Sequence, residues 1–170
     1  MRFSLLPDHM MDRLIDLSPD FLHTNQIRLL MLDFDNTIVP YTTDVPSEEM
    51  RAWLQRIRSA GIPVCIVSNS HRDRVPRFCA QYGLDCITHA NKPFPKGIRQ
   101  CLARYEILPA QAALVGDQIF TDTLGANCCG VRSILVKAIH NHTFWLKLRR
   151  VAEMPFILLA GKRRISNEKH

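Results

Sequence analysis

From residue 26 to residue 136 the chain alternates short apolar runs with longer stretches of helical period, and this restricts the fold more than any other feature. Gln26–Asp33 is a short apolar run closed by polar residues, the pattern of a buried strand. Pro46–Gly61 opens on a proline and early acids and stops at a glycine. Its Met50, Trp53, Leu54 and Ile57 repeat at helical spacing, which predicts an amphipathic helix. Ile62–Val67 predicts a second strand, and Asp73–Tyr82 a helix carrying Pro76 in its first turn. Cys86–His89 predicts a short strand, Pro95–Tyr105 a helix, Ala112–Val115 a strand, Thr121–Cys129 a helix, and Arg132–Val136 a fifth strand. Strands separated by helices pair in parallel through right-handed crossovers, so the expected fold class is α/β, a doubly wound parallel sheet flanked by helices. Ligands of such sheets sit outside the carboxyl ends of the strands.

The 170 residues suffice for one domain with a real core and are too few for two ordinary ones. With 46% apolar and 22% charged residues, collagen, coiled coil and wholesale disorder are excluded. Apolar runs such as Pro155–Ala160 are far too short to cross a bilayer, and the first residues, which soon meet Asp8 and Asp12, do not read as a signal peptide. The six cysteines form no C-x-x-C pair, so reduced, mostly buried thiols in a cytoplasmic protein are expected.

The net charge of +6 is unevenly placed. From Lys137 onward eight basic residues face two acids, while residues 1–136 are balanced. Residues 137–170 therefore read as a basic C-terminal tail on a single domain spanning 1–170. Such asymmetry suits an anionic surface, either lipid head groups or nucleic acid, or else a solvated terminus that aids solubility. Within the tail, Phe144, Leu148 and Val151 fall at helical spacing beside Trp145 and Lys147, and Phe156–Leu159 precedes Lys162-Arg163-Arg164. That is either a basic amphipathic segment for a membrane interface or a last helix packed on the sheet.

Polar residues cluster at the predicted strand ends. Asp33-Phe34-Asp35-Asn36-Thr37 sets two carboxylates two residues apart where the first strand ends. Like charges held that close need a cation to stay ionised. Gly116-Asp117 through Asp122 adds two more acids at another strand end. A few oxygen ligands, with positions left for water and substrate, describe Mg²⁺ better than Ca²⁺ or Zn²⁺. Taken singly, a strand-end Asp more often caps a turn, and Ser68-Asn69-Ser70 reads as a plain turn.

In order along the chain, Asp33–Thr37, Ile66–Ser68, Ala90-Asn91-Lys92-Pro93 and Gly116–Asp122 resemble the four motifs of the haloacid dehalogenase superfamily. The resemblance implies a Rossmann-like domain, with no room here for a cap domain, and hence an open site. It implies an Asp33 nucleophile, an Asp35 that protonates the leaving group and then activates water, and phosphate contacts from Asn36, Thr37, Ser68, Asn69 and Lys92. For Asn69 the contact implied is its backbone N–H. It also implies Mg²⁺ held at Asp33, Asp35 (through its carbonyl), Asp117 and Asp122. Lys96, four residues past Lys92, is the alternative lysine, but the Lys-Pro context favours Lys92. His71 lies near the predicted site, whereas His89, His140 and His142 read as surface residues.

Leu6-Pro7-Asp8, the Asp33 segment with Ile38-Val39-Pro40, Ser68-Asn69-Ser70, Ala90–Pro93 and Gly116–Asp122 are similar to the subfamily III A phosphatases that include phosphatidylglycerophosphate phosphatases. This implies a phosphorylated substrate such as that anionic phospholipid, peripheral contact through the basic tail, and a place at the inner membrane face. Two rivals stand beside it. One is a soluble phosphatase for sugar phosphates, nucleotides or phosphoproteins. The other is an RNA- or ribosome-binding protein with a vestigial site, which the retained and mutually repelling acids disfavour.

Overall fold

The computed structural model of the chain describes residues 3–139 and 153–160. Six strands form one wholly parallel sheet: β1 (His9–Met11), β2 (Leu29–Leu32), β3 (Val64–Val67), β4 (Asp85–Ile87), β5 (Ala112–Gly116) and β6 (Arg132–Val136), in the order β1-β6-β5-β2-β3-β4. Within residues 3–139 the α-helices are α1 (Pro19–Thr24), α2 (Glu48–Ser59), α3 (Arg74–Tyr82), α4 (Lys96–Tyr105) and α5 (Leu124–Cys129). The expected doubly wound α/β architecture is present.

Side-chain alternation along the strands builds two apolar layers. Leu30, Leu32, Val64, Ile66, Ala113 and Val115 join the layer that contains Trp53 and Ile57 of α2 and Val75 and Phe78 of α3. Leu29, Met31, Cys65, Val67, Ala112 and Leu114 join the opposite layer, with Ile98 and Cys101 of α4 and Ala126 of α5. Every residue of β2 is fully buried, as continuous apolar runs are in a sheet covered on both faces.

Local signals set the helix limits. The Ser47 side chain accepts from Met50 N at 3.1 Å and starts α2, with Glu48 and Glu49 in its first turn and Arg56 and Arg58 in its last. Pro76 is accommodated in the first turn of α3, and Gly83, at φ 62°, ends that helix.

Two parts of the architecture were not expected. The first is the N-terminal segment. Strand β1 pairs with β6 through His9–Ile134 and its neighbours, and Asp8 pins the start: its backbone N–H donates to Ser133 O at 3.1 Å, and its Oδ2 accepts from Ser133 N at 3.0 Å. Trp53 Nε1 donates to Leu17 O at 2.7 Å, fastening the next turn over α2. The second is the predicted helix Thr121–Cys129. It divides into a π-helical turn, Ile119–Thr123, and α5. A π-turn inside a helical stretch re-aims side chains and is frequent at functional sites. Beyond Ile139, the segment 153–160 is helical. The predicted amphipathic pattern at Phe144, Trp145, Leu148 and Val151 lies outside the described residues.

Candidate active site

Parallel pairing brings all strand carboxyl ends to one edge. Strand β2 lies between β3 and β5, the place where the chain reverses its winding direction. Asp33, just past β2, donates its backbone N–H to Val115 O at 2.8 Å, and so stands beside Gly116 and Asp117 at the end of β5. Ser68, just past β3, donates its own to Ile87 O at 2.9 Å.

The Asp33–Thr37 loop begins with extended alternation, in which Phe34 turns into the core against Phe78, with ring centroids 5.0 Å apart. The chain then folds back. Ile38 N donates to Phe34 O at 3.0 Å, and Asn36 N to Val39 O at 2.7 Å, with Asn36 at φ 61°. The buried Asn36 side chain and Thr37 Oγ1 have no hydrogen-bond partner among the described residues. Such groups are costly unless a ligand or water meets them.

Lys92 arrives from the loop after β4 and is buried. Its Nζ lies 2.7 Å from Asp33 Oδ1 and 2.7 Å from Asp122 Oδ1. Lys96 is exposed at the start of α4, so Lys92 is the lysine that reaches the acids. Asn69 holds Lys92 in place: its Oδ1 accepts from Lys92 N at 2.7 Å and its Nδ2 donates to Lys92 O at 2.8 Å. The Asn69 side chain is thus committed to the lysine loop. The Lys92–Pro93 peptide is cis. Ser68 is buried, and its Oγ accepts from Ser70 N at 3.0 Å.

Asp122 is aimed by the π-turn. Its Oδ2 accepts from Gln118 N at 3.2 Å. A Cβ on Gly116 would collide with the Asp122 carboxylate, so only glycine lets that side chain lie across the end of β5. Asp33, Asp117 and Asp122 are all buried, and one carboxylate oxygen from each lies within 4.8 Å of the others. Burial raises the Asp122 carboxyl above the ordinary range; Lys92 works against that shift, and Asp33 adds to it. Burial also opposes the charge on Lys92, but Asp122 and Asp33 outweigh it and hold the ammonium above the usual lysine range.

Three buried carboxylates, two of them paired with one ammonium, leave surplus negative charge among hard oxygen donors. That donor set suits a divalent cation. The Asp35 carboxylate stands outside the group. Its Oδ1 accepts from Arg74 Nη1 at 2.8 Å. Burial raises this carboxyl, with Arg74 opposing and Asp33 adding to the rise. Two contributors gave little sequence signal: the Asn69 amide, whose partner is a distant backbone, and Arg74, one of several arginines in its neighbourhood. His71 is exposed and meets His89 edge-to-face, with ring centroids 4.2 Å apart.

The haloacid dehalogenase-like hydrolase family matches residues 16–130. The chain belongs to the haloacid dehalogenase-like hydrolases. "Probable phosphatase YqeG" of Bacillus subtilis is 30% identical over 131 residues, which are 77% of this chain and 76% of that protein. "Glyceraldehyde 3-phosphate phosphatase" of Pyrococcus furiosus is 23% identical over 133 residues, and the match spans 73% of this chain and 50% of that protein. The cobalt-bound deoxy-D-mannose-octulosonate 8-phosphate phosphatase of Haemophilus influenzae has the same fold, with a TM-score of 0.52 at 16% identity over 82% of this chain and 92% of that one. This haloacid dehalogenase-like hydrolase is an enzyme of the phosphoric monoester hydrolase class.

Proposed function

We propose that the chain is a Mg²⁺-dependent phosphatase that works through a phosphorylated Asp33, and that its substrate is an amphiphilic phosphomonoester, phosphatidylglycerophosphate, at the inner membrane face. The observation that carries the reaction is the convergence of Asp33, Asp117 and Asp122 at the carboxyl edge of the sheet, with Lys92 on Asp33 and Asp122. Asp33, Asp117 and Asp122, with the Asp35 carbonyl, would hold Mg²⁺, which when bound offsets phosphoryl charge.

The chain's own residues do the rest. An Asp33 oxygen attacks phosphorus, and the ester oxygen departs with its bonding electrons and takes a proton from Asp35. Asp35 then removes a proton from water, and the hydroxide displaces phosphate from Asp33. Lys92 balances charge on Asp33 and on the phosphoryl group. Ser68, the Asn69 backbone N–H and the buried polar groups of Asn36 and Thr37 are suited to phosphoryl oxygens.

Two features support a lipid. A hollow of about 460 Å³ adjoins Thr37; Leu14, Ile15, Ile38 and Met50 line it, and its rim carries Arg13 and Lys137 paired with Glu49 and Asp12. The helical segment 153–160 exposes Met154, Leu158 and Leu159 just before Lys162-Arg163-Arg164 in the sequence. Apolar side chains beside basic ones suit an anionic membrane surface. No helix among the described residues is long and apolar enough to span a membrane. A second reading, a phosphatase for small sugar phosphates, draws on the substrate named for the Pyrococcus furiosus relative.

The deciding experiment is phosphate release with Mg²⁺ from phosphatidylglycerophosphate in mixed vesicles, set against sugar phosphates, nucleotides and phosphopeptides. Preference for a sugar phosphate would favour the second reading. Asp33→Asn should abolish turnover with the fold intact; substantial residual activity would reject the phospho-enzyme. RNA co-sedimentation with a steep salt slope, without vesicle binding, would turn the tail toward nucleic acid.

A further inference from the structure

Arg74 opens α3, and its side chain is only 12% exposed. Every nitrogen of its guanidinium is engaged. Nη1 donates to Asp35 Oδ1 at 2.8 Å, and Nε to Asp44 Oδ1 at 2.7 Å. Nη2 donates to Thr43 O at 2.9 Å and, more weakly, to Pro40 O at 3.4 Å. The guanidinium carbon also lies 5.1 Å from the centre of the Phe34 ring, the residue between Asp33 and Asp35. One planar cation thus joins three pieces of chain: the loop after β2, the segment Pro40–Asp44, and α3.

An exposed ion pair would carry little weight. This one is 12% and 19% exposed on its two sides, and the fork of an arginine fixes direction as well as charge. With Oδ1 engaged, Oδ2 is the oxygen left to carry the transferred proton.

We infer that Arg74 is a positioning residue for phosphoryl transfer: it aims the Asp35 carboxyl at the leaving oxygen and ties the Pro40–Asp44 loop to that carboxyl. The inference rests on the reading of Asp35 as proton donor. In that step the Asp33–phosphorus bond forms and the ester phosphorus–oxygen bond breaks. The electron pair stays on the departing oxygen, and the Asp35 proton moves onto it. Arg74 holds Oδ1 throughout that step, so the carboxyl keeps one direction toward the leaving oxygen.

The test is kcat/KM, which reports the step up to phosphorylation of Asp33, across aryl phosphates of increasingly basic phenols and one alkyl phosphate, with Mg²⁺ saturating. Asp35→Asn should lose little on the best leaving group and progressively more on poorer ones. Arg74→Met should show the same gradient, under about threefold at one end and on the order of 10- to 100-fold at the other. Arg74→Lys should recover part of the loss, Asp44→Asn should show a weaker gradient, and Arg74→Met should add nothing in an Asp35→Asn background. A gradient in Asp35→Asn with a uniform loss in Arg74→Met overturns the role of Arg74 alone. A uniform loss in Asp35→Asn removes the proton donor, and the role of Arg74 with it. If Arg74→Met does not fold by circular dichroism, a flat profile in both Arg74→Lys and Asp44→Asn is the overturning result.

Discussion

Replacing Lys92 by Met keeps an unbranched stem one atom shorter and removes the ammonium, so packing changes little and electrostatics decides the outcome. The ammonium lies 2.7 Å from one oxygen of Asp33 and 2.7 Å from one of Asp122, and its side chain is 1% exposed. Removing one partner of a buried ion pair costs about 3–5 kcal/mol, because the other charge is left without compensation. Here two carboxylates lose the same partner, with Asp117 close by, which points to the upper part of that range. Proton uptake returns some of it, since burial already holds the Asp122 carboxyl high and Lys92 is what draws it down. A net loss of about 4 kcal/mol is a fall of about a thousandfold in the folded-to-unfolded ratio.

Urea unfolding of both proteins, with EDTA and with excess Mg²⁺, measures this loss. A carboxyl whose pKa is raised in the folded state stabilises most below its unfolded pKa, and that contribution is lost as pH rises through the folded value. The deficit of Lys92→Met in EDTA should therefore grow from about pH 5 to about pH 8 and shrink on acidification. Mg²⁺ should reduce it, because a divalent cation answers the same carboxylates. A variant within about 1 kcal/mol of wild type in EDTA near neutral pH would refute the reasoning.

Gly116→Ala should displace the Asp122 carboxylate and cost about 1–3 kcal/mol by overpacking, with weakened Mg²⁺ binding by calorimetry; an unchanged affinity would mean that Asp122 has room to move. Asn69→Ala removes two hydrogen bonds to the Lys92 backbone, and should cost about 1–3 kcal/mol in denaturant and lower kcat more than it raises KM. Cys65, Cys79 and Cys101 are buried, and burial pushes the Cys79 thiol up, so native-state alkylation should spare all three and reach them only in denaturant; mass spectrometry of the labelled peptides reads this directly.

How much could be read beforehand depended on whether a feature is local. The α2 face of Met50, Trp53, Leu54 and Ile57 is a periodic pattern, and all four side chains are buried. Strand β2 is a bare apolar run, and the helix layers bury both of its faces. By contrast, β1 is three residues with no alternation, and it exists because Asp8 and Ser133, remote in sequence, pair at the sheet edge. The π-turn left no signal, because one widened turn changes neither the residue types nor the limits expected of the helix Thr121–Cys129. What departs from the α-helix is the backbone that sets Asp122 against Gly116. In the sequence Asn69 reads as an ordinary turn residue, and only the fold sets the Lys92 backbone in its amide fork.

By itself, then, the order of the residues determined the alternation of strand and helix, and with it the sheet edge at which the acids of Asp33–Thr37 and Gly116–Asp122 collect. Periodicity and turn chemistry act over a few neighbours, and parallel pairing follows from them. Which acids share one volume was decided only when the chain closed. Asp33, Asp117 and Asp122 meet, with Lys92 on the first and last of them, while Asp35, two residues from Asp33, is taken up by Arg74. That division depends on contacts between residues far apart in the chain, whose directions are set by packing against the two apolar layers, and a linear pattern does not encode it.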